Sequence, residues 1–481
     1  MNRILAPDRL AALLGDFHRS PAYRGLRLAL QERIGDGRIP AGARLPSERA
    51  VADVLGVSRN TVTRAYADLV GAGFAIARQG SGTFAAVPLD RRRAHDHALH
   101  ARSAAAEGDI DLNCAAGAAT PGVAAAYERA LAALPAYLSS DGYLPSGLPV
   151  LRALIAERYA ARGLPTTPEQ IVITSGALAG IAIVARALTG AGDRVAIVSP
   201  VDSNAIASLR MGGGRLVTSP LADALGDTGW DIEAIEATLR QTSPRLSYLI
   251  PDFQNPTGFL MPDETRERYA RALHATRTVA IVDETLQPIQ LEAHAMPAPF
   301  ARHDPDAITL GSASKLFWGG LRVGWIRAPL ELVPRLVRAR VQFDLGSSLF
   351  DQLVIVELFS SPGIIEHRRA QLRERRDALA AAVREHLPQW RFRLPGGGLT
   401  LWVRMPHGSA TQLAADAEGA GVHVAPGPVF SVEGGGDAWL RIPFAKPETQ
   451  LVQAVGHIAD AWRASTPDVR GRRDAAKLLI A

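Results

Sequence analysis

Thr278-Val279-Ala280-Ile281-Val282-Asp283 is an apolar run that does not alternate with polar residues and closes on a carboxylate. Such a run buries both its faces, which is the pattern of a strand in a parallel sheet covered by helices. The same texture recurs at Ile171-Val172-Ile173, Val195-Ala196-Ile197-Val198 and Leu246-Ser247-Tyr248-Leu249-Ile250, with helical segments between. Residues 110–466 therefore read as an α/β domain with a mainly parallel sheet. Within it, Phe392 to Trp462 carries Gly396-Gly397-Gly398, Leu399 to Val403 and Leu440-Arg441-Ile442, and reads as a smaller α+β lobe. Asp283 falls at a strand's C-terminal end, where open α/β sheets bind ligands.

Other stations along this domain point to the same place. Ser312-Ala313-Ser314-Lys315, followed by Leu321-Arg322-Val323-Gly324, sets an amine among two hydroxyls and a guanidinium. That set can hold an aldehyde phosphate, with the amine forming a Schiff base while Ser312, Ser314 and Arg322 take the phosphate. Thr174-Ser175-Gly176-Ala177 follows a strand and opens a helix, whose first N–H groups suit an anion. Asn255-Pro256-Thr257-Gly258 follows another strand and offers an amide donor. Pyridoxal phosphate needs a carboxylate beside its ring nitrogen, and Asp283 can supply it. Lysine is scarce: only Lys315, Lys446 and Lys477 occur, and the last two lack such company.

The chain has 481 residues, enough for at least two domains. Apolar residues at 47% and charged residues at 21% exclude wholesale disorder. No apolar run reaches the roughly 18–20 residues of a membrane span, and the first residues lack an apolar signal core. A single cysteine, Cys114, excludes an internal disulfide and a Cys/His zinc site, so a cytoplasmic setting without membrane or metal is expected. Net charge is +5 and the pI near 9.6, with 50 of the 53 cations arginine, a residue suited to phosphate and base-edge contacts.

The N-terminal region has a different texture. Apolar residues Leu26, Leu30 and Ile34 mark a first helix, Ser47 can cap a second, and Ser58 can cap a third running to about Val70. Phe74 to Ala77 and Thr83 to Val87 are short strands around Arg78-Gln79-Gly80-Ser81-Gly82. Helix, turn, helix and hairpin describe a winged helix-turn-helix, assigned to residues 17–87. Residues 88–109 read as a linker, at most about 70 Å long when extended, and 467–481 as a basic tail.

Leu45-Pro46-Ser47-Glu48-Arg49, Leu55-Gly56-Val57-Ser58-Arg59-Asn60-Thr61-Val62 and Gly80-Ser81-Gly82-Thr83-Phe84 resemble the DNA-binding domain of the GntR family. The resemblance implies operator contacts from Arg49, Ser58, Arg59, Asn60, Thr61, Gln79 and Gly80. Arg59 suits guanine and Asn60 adenine. Residues 110–466 resemble class I/II aminotransferases of fold type I. That resemblance implies Lys315 as the Schiff-base lysine, Asp283 as the ring-nitrogen partner and Asn255 as the contact to the phenolate oxygen. Ser175, Gly176, Ala177, Ser312, Ser314 and Arg322 form the implied phosphate cup. Tyr143, in Tyr143-Leu144-Pro145-Ser146-Gly147, matches a tyrosine that reaches the partner subunit's phosphate, which implies a homodimer. Arg441 matches the arginine that clamps a substrate or effector carboxylate.

The two resemblances together are the layout of the MocR subfamily: a regulator that binds double-stranded operator DNA and senses pyridoxal 5'-phosphate, or a small amine or amino-acid effector, through an aldimine at Lys315. Two departures bear on activity. Asp202 stands where such families stack an aromatic ring on the cofactor, a loss on the order of 1 kcal/mol, and Thr285 stands where a tyrosine helps lower the Schiff-base pKa. Both favour sensing over turnover. The alternative is an aminotransferase with an accessory DNA-binding domain.

Overall fold

The computed structural model describes residues 5–78, 80–87, 108–226 and 229–465. The linker reading over 88–107, the tail 467–481 and the contact assigned to Gln79 lie outside the described residues.

The N-terminal module comprises helices α1 (Pro7–Leu14), α2 (Ala22–Gly35), α3 (Glu48–Leu55) and α4 (Arg59–Gly71), then strands β1 (Ala75–Arg78) and β2 (Gly82–Ala85). Local chemistry sets these boundaries. The Ser47 hydroxyl accepts from Ala50 N at 3.3 Å and that of Ser58 from Thr61 N at 3.1 Å, each taking up an amide that the helix start leaves unpaired. Gly56 closes α3 in the left-handed region at φ 62°. The two strands pair antiparallel, Ala75 opposite Ala85 and Arg78 opposite Gly82, and form the wing. Leu26, Leu30, Ile34, Val51, Val62 and Leu69 make its core. Helix α1 is an addition to the sequence reading: Leu10 and Leu14, four residues apart, bury one face of it in that core.

The second body runs through β3 (Ile110–Asp111), α5 (Val123–Ala133), α6 (Pro149–Ala161), β4 (Ile171–Thr174), α7 (Ala177–Leu188), β5 (Arg194–Ser199), α8 (Ser203–Met211) and β6 (Arg215–Pro220). It continues with α9 (Ile232–Thr242), β7 (Leu246–Leu249), α10 (Asp263–Thr276), β8 (Val279–Asp283), β9 (Ile308–Ser312) and β10 (Gly324–Arg327). Among the described residues seven strands form one sheet in the order β4-β10-β9-β8-β7-β5-β6. Every neighbouring pair is parallel except the two made by β10, which runs antiparallel to both β4 and β9. The expected mainly parallel sheet is therefore present, with one reversed strand. Because β4, β7, β8 and β9 share a direction, the segments that follow them emerge on one edge of the sheet, and Ser175, Asn255, Asp283, Lys315 and Arg322 lie at those strand ends or on those segments.

Helices α11 (Val333–Arg340), α12 (Leu349–Ser360) and α13 (Ile364–His386) lead to the smaller lobe, with strands β11 (Arg391–Phe392) and β12 (Thr400–Arg404), α14 (Ala410–Gly419), β13 (Val422–His423), β14 (Ala425–Pro426), β15 (Trp439–Pro443) and α15 (Glu448–Ser465). Its sheet has the order β11-β12-β15-β14 and is antiparallel. Strand β3 pairs in parallel with β13, Ile110 opposite Val422, so the chain after residue 109 is stitched to this lobe first. The winged module touches the lobe at the loop before β15. Gly435 N donates to Asp36 O at 2.9 Å, and a Cβ on Gly434 (φ 81°) would collide with that oxygen.

The loop that carries Asn255 is fixed by a buried ion pair. Arg266 Nη2 lies 2.7 Å from Asp252 Oδ1, with side-chain exposures of 0% and 1%, and its other nitrogens donate to Met261 O and Ala298 O. Removing one partner strands the other charge in the core, which costs about 3–5 kcal/mol, whereas an apolar pair of similar volume is close to neutral. Arg266→Ala is therefore expected to lower the unfolding free energy read from urea titration by that amount, and Arg266→Met with Asp252→Leu to recover most of it. Equal loss in the single and double variants would contradict the assignment.

Candidate functional site

At the sheet edge a cavity of about 160 Å³ is lined by Lys315, Asp283, Asn255, Asp202, Thr285, Ser312, Ser314, Arg322, Ala177 and Arg441. The loop after β3, Asn113-Cys114-Ala115, closes one side. Residues that lie up to about 330 positions apart in sequence thus face one space.

Lys315 follows β9, and its Nζ donates to Ala115 O at 3.0 Å. Asp283 ends β8 and is buried. Its oxygens accept from Tyr248 Oη at 2.8 Å and Thr285 N at 2.9 Å. Burial, with Asp202 acting in the same direction, nevertheless pushes this carboxyl above the ordinary carboxylate range. A buried carboxylate in that state favours a cationic N–H placed against it. Burial in turn raises Tyr248 well above an ordinary phenol, so it stays a donor. Tyr248 was not singled out from the sequence; its signal is a phenol in a largely apolar strand that pairs with β8, opposite Ile281 and two residues from Asp283.

Thr285 and Asp202, the two departures from the family pattern, both make hydrogen bonds within the protein. Thr285 is turned to Asp283 through its own backbone and hydroxyl. Asp202 accepts from Ala205 N at 3.1 Å, capping α8, and from Asn255 Nδ2 at 2.7 Å. The Asn255 amide is thereby half committed, so a contact to a phenolate oxygen falls to its remaining N–H. Tyr143 is 61% exposed and lies outside this cavity of its own chain.

Two groups of residues lining the cavity suit anions. Helix α7 starts at Ala177 behind Gly176 (φ 103°) with no side-chain cap, so its first amides and the positive end of its dipole face outward. A Cβ on Gly176 would lie 2.8 Å from Arg322 Nη2, which explains the glycine. Arg322 Nη2 donates to Ser175 O at 3.0 Å and Nη1 to Gly319 O at 3.4 Å, both carbonyls. The Ser312 hydroxyl accepts from Ser314 N at 3.1 Å, while Ser314 Oγ is buried and lacks a partner among the described residues. Arg441, in the second group, is 2% exposed; its Nη2 donates to Asn113 O, its Nη1 lies 3.5 Å from Asn255 Oδ1, and its Nε has no partner among the described residues. Burial lowers its pKa to about 10, against the pull of Asp202, Cys114 and Asp111.

On the winged module, Arg49, Ser58, Arg59 and Asn60 are exposed, Thr61 is half-buried, and Gly80 stands exposed at φ 72° beside the wing tip. Val62, Tyr66 and Leu69 face inward. Arg59 reaches Glu48 at 3.6 Å, and Thr63 Oγ1 donates to the same Glu48 at 2.7 Å, so α3 steers the outward face of α4. Arg64 lies over the Tyr23 ring at 4.0 Å.

Residues 124–458 match the family described as aminotransferase class I and II, and residues 22–85 match the gntR family of bacterial regulatory proteins. The chain is 32% identical to 2-aminoadipate transaminase of Thermus thermophilus over 64% of this chain and 76% of that protein. It is 30% identical to the probable rhizopine catabolism regulatory protein MocR of Rhizobium meliloti over 77% of this chain and 78% of that protein. Among solved structures it resembles the α-aminoadipate aminotransferase LysN of Thermus thermophilus, solved with N-(5'-phosphopyridoxyl)-L-leucine, at a TM-score of 0.67 and 29% identity, covering 74% of this chain and 93% of that one. The chain therefore belongs to the pyridoxal 5'-phosphate-dependent class I and II aminotransferase family, and joins that fold to an N-terminal DNA-binding module of the gntR family.

Proposed function

We propose that the chain is a transcriptional regulator that reads operator DNA through its winged module and senses pyridoxal 5'-phosphate, or an amine or amino acid acting at that cofactor, through the cavity around Lys315. The observation that carries this reading is a single cavity in which an amine, a buried carboxylate held above its ordinary pKa, an unpartnered hydroxyl and a buried guanidinium with an unpartnered Nε converge, on a chain that also carries a gntR-type winged module. The residues fit the cofactor. Asp283 suits the ring nitrogen, Ser314 Oγ and the uncapped start of α7 suit the phosphate beside Arg322, and Lys315 supplies the amine. When bound, the cofactor contributes an aldehyde that takes up amines and an electron-withdrawing ring. Arg441 Nε then selects effectors that carry a carboxylate.

A physical route leads from this cavity to the DNA module. The Arg441 guanidinium lies over the Phe430 ring at 4.7 Å. Phe430 O accepts from Val201 N, next to Asp202, and the chain from Phe430 runs directly into the loop whose Gly435 donates to Asp36 at the end of α2. An effector that draws on Arg441 thus acts on the loop that holds the winged module, a coupling between two sites.

The assembly in this reading is a homodimer working in the cytoplasm. Tyr143, Phe343 and Leu345 are exposed apolar side chains on neighbouring segments, since Arg340 Nη1 donates to Pro145 O at 2.7 Å and Gly346 packs on Leu144. Such a patch suits a second copy of the chain, with Tyr143 delivered to the partner's cavity. Among the described residues no helix is long and apolar enough to cross a membrane.

Addition of pyridoxal 5'-phosphate is expected to give a visible absorbance band that Lys315→Ala abolishes. Asp283→Asn is expected to bind the cofactor more weakly while melting at a higher temperature than the parent without cofactor. The sign follows from the raised pKa: in the folded chain this carboxyl destabilises once pH exceeds its unfolded value, and a neutral amide removes that cost. No band in the parent, or a lower melting temperature in Asp283→Asn, would contradict the reading. In gel-shift titrations Arg59→Ala is expected to lose about 1–3 kcal/mol on operator DNA and relax base preference; equal weakening on random DNA would instead mark a phosphate contact. In the same assay Gly434→Ala is expected to retain operator binding but lose its response to effector.

A further inference from the structure

A second cavity, of about 270 Å³, shares a wall with the first. Ser312 lines both, and Glu284 lines the second while its neighbour Asp283 lines the first. Apolar walls come from Tyr159, Trp325 and Phe359. Three arginines face them: Arg158 and Arg162, one turn apart at the end of α6, and Arg369 from α13.

The charges here are unbalanced. Glu284 Oε2 accepts from Arg162 Nη1 at 2.6 Å, with the Glu284 side chain 2% exposed. Its Oε1 is buried and lacks a partner among the described residues. Arg158 lies over the Phe359 ring at 4.3 Å, and Arg369 Nε donates to Pro288 O at 2.8 Å. Neither has a carboxylate within ion-pair distance among the described residues, and Glu366 acts on both only at longer range. Burial, then repulsion from Arg162 and Arg369, lowers the Arg158 pKa, and burial lowers that of Arg369. Half-buried cations against apolar walls are stabilised by an anion, and an orphaned carboxylate oxygen by a donor. The volume falls below the roughly 300–1,000 Å³ of drug-sized pockets, so the occupant is small.

We propose that this cavity is a second ligand site, for a small organic carboxylate bearing a hydroxyl or amine donor: the carboxylate meets Arg158 and Arg369, the donor meets Glu284 Oε1, and the carbon body lies against Tyr159 and Trp325. It is distinct from the cavity of Arg441, and the peptide joining residues 283 and 284 and the end of β9 connect the two. The second site uses none of the first cavity's proposed ligand-binding charges, so it does not depend on that cavity acting as a sensor.

The test is calorimetric titration of the full chain, loaded with pyridoxal 5'-phosphate, with 4-hydroxybenzoate, which has no amine to react with the cofactor. Binding is expected, about tenfold weaker for benzoate and absent for 4-hydroxybenzyl alcohol, since a hydrogen bond to a charged group and an ion pair are lost in turn. Arg158→Gln with Arg369→Gln is expected to weaken it at least about tenfold, and Arg441→Gln to leave it unchanged. Arg369→Gln alone, at a more peripheral position, serves if the double variant fails to fold. No heat at millimolar probe, equal binding by benzoate, or loss in Arg441→Gln with retention in the Arg158 and Arg369 variants would overturn the proposal.

Discussion

The burial of Asp283 is the constraint on which the rest depends. Strand β8 ends in a carboxylate that the sheet edge screens from water, and two hydrogen bonds, from Tyr248 and Thr285, do not return it to an ordinary pKa. An uncompensated buried carboxylate is expensive, and a fold retains one where a cation completes it. The nearby groups are arranged so that no protein cation does so: Arg441 is turned to Asn113 and Asn255, Arg322 to backbone carbonyls, and Lys315 to Ala115 O. The three cations are therefore spread around the cavity, each able to meet a different part of a ligand.

That dispersal separates binding tasks. The start of α7 with Ser314 and Arg322 suits phosphate and Arg441 suits a carboxylate, and the Lys315 amine lines the same cavity. The small lobe supplies Arg441, Leu399 and Thr400, and the Asn113 loop is stitched to it through β3, while the strand ends of the large sheet supply Lys315, Asp283, Asn255 and Arg322. A ligand that meets both groups therefore bridges the large sheet and the small lobe. The loop before β15, which hydrogen-bonds to Asp36, belongs to the lobe on the Arg441 side, so closure there is mechanically connected to the winged module.

Much of this was legible locally. Ser47 and Ser58 are caps because a hydroxyl three residues ahead of an amide suffices, and the apolar strands declare burial without reference to partners. Lys315, Asp283, Asn255 and Arg322 come to one cavity because each follows a strand end on the same sheet edge, a consequence of parallel topology. Features set by distant pairing were not legible. The reversal of β10 leaves no mark on an apolar strand that is buried either way. The Tyr248–Asp283 and Asp202–Asn255 bonds join residues 35 and 53 positions apart, and no short motif contains them. The same holds for the cluster of Arg158, Arg162 and Arg369 around Glu284, whose members read singly as ordinary surface charges.

Asp202 bears most directly on the proposed choice of sensing over turnover. An aromatic ring at that position would stack on a cofactor and leave Asn255 free for it. Here the carboxylate caps α8 and holds the Asn255 amide, while its charge opposes the fall in the Arg441 pKa and adds to the rise in that of Asp283. One residue thus connects Asp283, Asn255 and Arg441, the groups proposed for the ring nitrogen, the phenolate side and the effector carboxylate. A ligand arriving at any of the three changes the electrostatics at the other two. That coupling suits a site whose output is a change of shape, whereas rapid turnover favours groups tuned independently, each to its own proton.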